Sequence, residues 1–183
     1  MKSQRLRPAH DQMSLTQIYA EPHDSSKWHD HNIRVAVTSA IANGPVDVKS
    51  CADLSCGDAR IARSVSAKET FLGDFAPGYR FTGPIIKTID EIPHVDMFIL
   101  SETLEHLDKP DRVLKLIRPK TKYLVLSTPL EAWDEVNLEH YWAWDQEYVE
   151  SLLTDAGFEP GVFNGLDMRK MYSPYYFGIW LCR

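Results

Sequence analysis

Residues 95–100 (VDMFIL) form an almost unbroken apolar run of strand length, and this run limits the possible folds more than any other feature. A strand that is apolar on both faces must be covered on both, as in a parallel sheet layered between helices. The flanking segments agree. Residues 48–56 are a short apolar run ending in Ser55-Cys56-Gly57, a strand entering a turn. Residues 70–75, 79–86 and 123–127 also read as strands. Helical faces lie between them. Ile33, Ala36, Val37, Ala40 and Ile41 share one stripe, with Asp30 placed to cap its start and Gly44-Pro45 to end it. Ile61, Ala62 and Val65 mark a helix over 58–66. A helical stretch over 102–107 is interrupted at Pro110 and resumes through 111–117. The clearest helix is 145–156, with Asp145 as N-cap and Gly157 as its stop. Residues 158–164 and 175–181 are expected to finish the sheet as an antiparallel pair. Strands alternating with helices predict a mostly parallel α/β sheet whose ligands bind beyond the carboxyl ends of the strands. One junction strains this reading. Only a few residues separate 70–75 from 79–86, whereas a parallel crossover usually takes about a dozen or more.

The chain has 183 residues, enough for one domain with a full core. Residues 1–30 are polar and irregular and read as an N-terminal arm or lid, leaving 31–183 as a single domain. No apolar run approaches the roughly 18 residues of a membrane span. The basic N-terminus has no apolar segment behind it, so no secretory signal is expected. A net charge of −6 argues against gripping long nucleic acid by charge, but not against contact with a nucleotide end. Three scattered cysteines, Cys51, Cys56 and Cys182, make no disulfide framework and suit a reducing cytoplasm.

The turn after the first sheet strand reads Asp53-Leu54-Ser55-Cys56-Gly57-Asp58-Ala59. Small residues there let a ligand approach the backbone, and the following helix offers free N–H groups. Asp74 closes the next strand, where a carboxylate can accept from both hydroxyls of a ribose or serve as an ordinary turn residue. These features suit a nucleoside-bearing cofactor without naming it.

Several motifs together resemble class I S-adenosylmethionine-dependent methyltransferases. Asp53–Ala59 resembles the family's glycine-rich loop, and Leu72-Gly73-Asp74-Phe75 its ribose-binding strand end. Ser101-Glu102-Thr103-Leu104-Glu105-His106-Leu107 resembles the segment after the fourth strand, Leu126-Ser127-Thr128-Pro129 the end of the fifth, and residues 152–158 (LLTDAGF) the last helix. The resemblance spans roughly residues 33–182 in the right order. It implies a Rossmann-like, seven-stranded, mostly parallel sheet with an antiparallel last strand and a reduced helix between strands two and three. It also implies S-adenosylmethionine as cofactor, held by Asp53, Ser55, Cys56, Gly57, Asp58, Asp74, Phe75, Ile86 and Ser101. Two departures stand out. Ser55 and Ala59 replace the outer glycines, and Pro84-Ile85-Ile86 stands where an acidic residue often binds the adenine amino group.

Glu102, Glu105 and His106 fall at i, i+3, i+4, one face of a helix, and His140 follows the fifth strand. Two carboxylates and two imidazoles are a donor set for Mg²⁺ or Mn²⁺. The Glu-x-x-Glu-His segment is similar to that of the small-RNA 3′-terminal 2′-O-methyltransferases and the ubiquinone-pathway O-methyltransferases. That resemblance implies Glu102, Glu105, His106 and His140 as ligands of an ion that lowers the pKa of an acceptor oxygen. Metal-free methyltransferases also carry Leu-Glu-His at this place. In a metal-free enzyme His106 or His140 would act as general base, and a catalytically silent binding subunit stays open as a third reading. The expected catalytic residues are therefore Glu105, His106 and His140, acting on a small-molecule or nucleotide-end acceptor, alone or with a partner protein.

Secondary candidates are a histidine group (His23, His29, His31) that would form a polar lid or helix start or bind a metal, Arg34 as a solvated helix charge or toward the cofactor carboxylate, and Tyr19 closing over the cofactor from the arm. The aromatics Trp133, Tyr141, Trp142 and Trp144 would stack an acceptor or fill the core. Residues 172–176 would line the acceptor mouth or pack at the sheet edge.

Overall fold

The computed structural model describes residues 1–171 and 173–183. In chain order the strands and helices are β1 Ser3–Arg5, α1 Gln12–Ile18, α2 His29–Ala42, β2 Ser50–Asp53, α3 Arg60–Ser64, β3 Glu69–Asp74, β4 Phe81–Thr82, α4 Ile85–Thr88, β5 Val95–Ser101, α5 Pro110–Ile117, β6 Thr121–Leu130, β7 Trp142–Trp144, α6 Gln146–Asp155, β8 Pro160–Asp167 and β9 Tyr176–Cys182. Seven strands form one sheet in the order β4-β3-β2-β5-β6-β9-β8. The pairs from β4 to β6 are parallel, and β9 runs antiparallel to both β6 and β8.

The apolar run of 95–100 does what its composition requires. Phe98 and Leu100 face one layer with Leu114, Ile117, Trp144 and Trp180, while Met97 and Ile99 face the other with Val35, Ile61 and Ala62. Each fully buried side chain of this size contributes about 1.5–3 kcal/mol of apolar burial, so both faces are firmly specified. The one charge in the run, Asp96, sits near the strand's start, where its Oδ2 accepts from the Lys49 and Ser50 N–H groups at 2.8 and 3.0 Å.

Several local expectations are corrected. The strand expected over 79–86 shrinks to β4, which pairs parallel with β3 only through Gly73↔Phe81 and Asp74↔Thr82. So short a strand needs little return distance, and the loop after Asp74 makes the crossover without a helix. Gly73 permits the close pairing, since a Cβ there would lie 2.6 Å from the Phe81 carbonyl oxygen. Ile86 falls in α4 rather than in a strand. Asp30 does not cap α2: Trp28 is the N-cap residue, and the Asp30 carboxylate instead accepts from His31 N–H at 2.9 Å and Ser173 Oγ at 2.5 Å.

The N-terminal segment is less irregular than its composition implies. β1 pairs antiparallel with β7, and Asp11 caps α1 by accepting from Ser14 N–H. Among the described residues no helix is long and apolar enough to cross a membrane.

Candidate functional site

A cavity of about 1040 Å³ opens at the carboxyl ends of β2, β3 and β5, beneath the N-terminal segment. All the residues expected to hold the cofactor border it. At one corner the chain leaves β2 through Ser55-Cys56-Gly57 with Gly57 at φ +50°, where a Cβ would lie 2.8 Å from the His23 carbonyl oxygen. Only glycine lets the loop and the N-terminal segment meet this closely. Asp74 Oδ2 accepts from Gly57 N–H at 2.7 Å and its Oδ1 from Ala76 N–H at 2.9 Å, so this carboxylate ties the ends of β2 and β3 together. Tyr79 donates to the Gly57 carbonyl at 2.6 Å, and Asp58 accepts from Ser25 N–H and Oγ at 2.9 and 2.5 Å. The helix expected over 58–66 is the short α3, with Ala59 before it in the left-handed region at φ +59°.

Asp53 is buried and accepts from Ser55 N–H at 3.2 Å. Burial lifts its carboxyl to about 8 from an ordinary 3.8. Between those values the folded protein keeps a proton that the unfolded chain has lost, so stability falls as pH rises across the window. Asp53→Asn cannot ionise and is expected to flatten that decline. At mildly alkaline pH its melting temperature should exceed the wild type's by roughly 2–4 °C for each 1 kcal/mol regained, read by scanning calorimetry at acid and alkaline pH.

Arg34 on α2 is not a solvated helix charge: it reaches the same cavity almost fully buried. Its Nη1 donates to Ser101 Oγ at 2.6 Å and its Nη2 lies 3.3 Å from His31 Nδ1, while its Nε has no partner. Ser101 and Ser127 hydroxyls are 2.7 Å apart, and Ser127 donates to Glu102 Oε1 at 2.8 Å. Because the Ser127 proton goes to Glu102, Ser101 donates to Ser127, and the buried guanidinium is linked to the Glu102 carboxylate through two hydroxyls.

The helix expected over 102–107 is a single 3₁₀ turn, Leu104–His106, preceded by Glu102 at φ +49°. Helical stacking therefore does not align the three side chains. Glu105, His106 and His140 nonetheless bring one ligand atom each within 4.8 Å of the others, and Glu102, turned to Ser127, lies outside that group. Glu105 is buried; its Oε2 accepts from Thr128 Oγ1 at 3.0 Å and its Oε1 is unpartnered. Burial, reinforced by the Glu102 charge, pushes the Glu105 carboxyl well above the usual range. His106 Nε2 lies 3.8 Å from Glu105 Oε1, and its Nδ1 lies 3.2 Å from the Tyr19 hydroxyl at the end of α1. Burial, with His140 beside it, lowers His106 to about 3. His140 faces the His106 ring at 4.8 Å between centroids and 88° between planes. Burial lowers the His140 pKa, but the hydrogen bond and charge of Glu135, with Glu105, raise it further, for a net rise. His140 Nδ1 lies 3.0 Å from Glu135 Oε2.

Sequence reasoning missed Glu135 and Thr128. Thr128 lies in the segment read as the end of the fifth strand but has no role in that reading, and Glu135 reaches His140 through a loop that has no period. Tyr19, from the N-terminal segment, places its hydroxyl at His106. Trp144 is core, its Nε1 donating to Thr128 Oγ1, and Trp142 donates to the Leu107 carbonyl. Tyr141 and Tyr175 border the cavity, whereas Tyr172 lies outside the described residues. His23 stacks on Trp28 at 5.0 Å rather than joining the Glu105 group.

The sequence matches no protein-family model and no curated protein. Solved structures do match. The N-methyltransferase NodS from Bradyrhizobium japonicum, in complex with S-adenosylhomocysteine, superposes with a TM-score of 0.70 at 12% identity over 93% of this chain and 96% of its own. The 1,6-didemethyltoxoflavin-N1-methyltransferase of Burkholderia thailandensis gives 0.67 at 14% over 97% and 92%. The small RNA methyltransferase HEN1 gives 0.66 at 16%, with 98% of this chain covering 26% of that one. This chain has the class I methyltransferase fold. At these identities the likeness is one of fold. The same fold is seen in the [4+2]-cyclase SpnF, with a TM-score of 0.61 at 13% identity over 93% of this chain and 89% of that one. Function on the methyltransferase fold must therefore be argued from the site.

Proposed function

We propose that this chain transfers a methyl group from S-adenosylmethionine to an oxygen of a compact acceptor, a small molecule, sugar or nucleotide end, with a divalent ion assisting. The observation that carries the reading is one cavity that joins the Gly57–Asp74 corner to the Glu105, His106 and His140 group. Both ends have donors or acceptors left over. The unpartnered Arg34 Nε and its buried charge suit the carboxylate of an amino-acid tail, and the remaining lone pairs of Asp74 suit a ribose diol. The unpartnered Glu105 Oε1, with two imidazoles, is a mixed O/N donor set that fits Mn²⁺ or a similar transition ion better than Mg²⁺. When bound, the cofactor supplies an electrophilic sulfonium methyl and the ion supplies Lewis acidity that lowers the pKa of an acceptor hydroxyl.

The chain's own residues do the rest. Gly57 and Asp74 orient the nucleoside, Arg34 anchors the tail, and Leu54, Phe75 and Ile86 give the base an apolar wall. Tyr19 and His10, from the proposed arm over residues 1–30, cover the acceptor end and exclude water. The paired Glu135 and His140 also support a second, metal-free reading in which His140 takes the acceptor proton as general base. The three buried, unbridged thiols suit a cytoplasmic protein.

Calorimetry with S-adenosylhomocysteine tests the cofactor half. Arg34→Met is expected to weaken binding roughly 10–100-fold, since hydrogen bonds to a charged group contribute about 1.5–3 kcal/mol. Unchanged affinity would remove Arg34 from the site, and no heat from the wild type would end the reading. Turnover before and after chelation separates the metal-assisted from the metal-free form.

A further inference from the structure

We propose that Glu135 is the positioning residue for His140: by accepting the Nδ1 proton it leaves Nε2 bare for the group that His140 forms with Glu105 and His106. The inference deepens the reading above, in which His140 is a metal ligand or a base, and either role needs an unprotonated Nε2.

The Glu135 carboxylate meets His140, a backbone N–H and the Tyr175 hydroxyl. The Glu135 side chain is 5% exposed and that of His140 9%, so the contact is a built one rather than a surface pair. One carboxylate oxygen, Oε2, lies 3.0 Å from His140 Nδ1, and the other, Oε1, accepts from Asn137 N–H at 2.8 Å. An ionised carboxylate can only accept, so the proton between them belongs to the imidazole. The loop carrying the pair is held from outside. Arg7 Nη2 donates to the Glu135 carbonyl at 2.7 Å, Arg7 Nη1 donates to the Asn137 carbonyl, and His140 N–H donates to that carbonyl at 3.2 Å. Tyr141 N–H donates to the Glu105 carbonyl at 2.8 Å, which fixes the loop's end to the turn that bears the other two groups.

The need for such a residue is set by Glu105. Its unpartnered Oε1 is a second buried acceptor close to His140, and without Glu135 it would draw the imidazole proton onto Nε2. That tautomer can neither bind a cation through Nε2 nor accept a proton there. Carboxylates bonded to the far nitrogen of a ligating histidine commonly set its tautomer in this way.

Long-range ¹⁵N–¹H correlation spectra of the metal-free protein at alkaline pH, where the ring is neutral, report the tautomer directly. His140 is expected to carry its proton on Nδ1 in the wild type and to shift toward Nε2–H both in Glu135→Ala and in Glu135→Gln, whose single carbonyl is taken by the Asn137 N–H and whose amide then donates to Nδ1. Mn²⁺ affinity, measured by electron paramagnetic resonance, is expected to fall roughly 10–100-fold in both variants. S-adenosylhomocysteine affinity should be the same in all three proteins. A wild-type His140 protonated on Nε2, or a tautomer unmoved by Glu135→Ala, overturns the proposal. The expected tautomers with no Mn²⁺ binding by the wild type would instead uphold Glu135 and overturn the metal-assisted reading.

Discussion

Asp74→Ala is expected to abolish measurable binding of S-adenosylhomocysteine and to lower the melting temperature. The carboxylate has two tasks in the structure. It accepts from Gly57 and Ala76 N–H, which sets the shape of the loop, and its remaining lone pairs face the cavity. Each charge-assisted hydrogen bond contributes about 1.5–3 kcal/mol, so losing the loop anchors together with two sugar contacts costs more than about 3 kcal/mol of binding, over 100-fold in affinity. Asp74→Asn separates the tasks. Its one carbonyl oxygen still holds one backbone N–H, while its amide presents a donor where an acceptor stood. It is expected to fold with a modest loss of stability yet to bind at least about 10-fold more weakly. Wild-type affinity in both variants, by calorimetry, would place the nucleoside elsewhere.

Glu105→Gln is expected to cut turnover by more than the roughly 10–100-fold that follows loss of an outer partner of a metal site, while leaving S-adenosylhomocysteine affinity unchanged. The same substitution should raise the stability of the metal-free protein. Glu105 carries a buried carboxylate with one unpartnered oxygen, and burial opposes its charge. Glutamine keeps the acceptor for Thr128 Oγ1 and removes that charge. A site evolved only for packing would not hold a destabilising group, so opposite signs for stability and turnover are the signature sought. Glu105→Gln with wild-type turnover on the true acceptor would exclude metal assistance through this carboxylate.

The two halves of the site were not equally legible. The corner proposed for the cofactor was readable as a place because it is local to strand ends: Gly57 and Asp74 follow directly from apolar runs whose ends could be located, and both border the cavity. The acceptor corner was readable in composition but not in geometry. The spacing of Glu102, Glu105 and His106 suggested a helix face, yet the backbone passes through φ +49° at Glu102 and closes one 3₁₀ turn. Glu102 then turns toward Ser127, in a network that begins at Arg34, far away in the chain. β4 shows a similar limit. An apolar, strand-like composition over 79–86 could not reveal that only two residues pair with β3.

From residue order alone came the layered sheet, since apolar runs and helical stripes are local patterns whose burial demands do not depend on partners. The antiparallel close of the sheet and the position of the cavity followed from it. Tertiary structure alone decided which polar groups meet: Glu135 with His140, Tyr19 with His106, and Arg34 with Glu102 through two serines. Those contacts join distant or aperiodic positions. Their partners are chosen by the burial of unpaired donors and acceptors, a condition that exists only once the chain has closed around them.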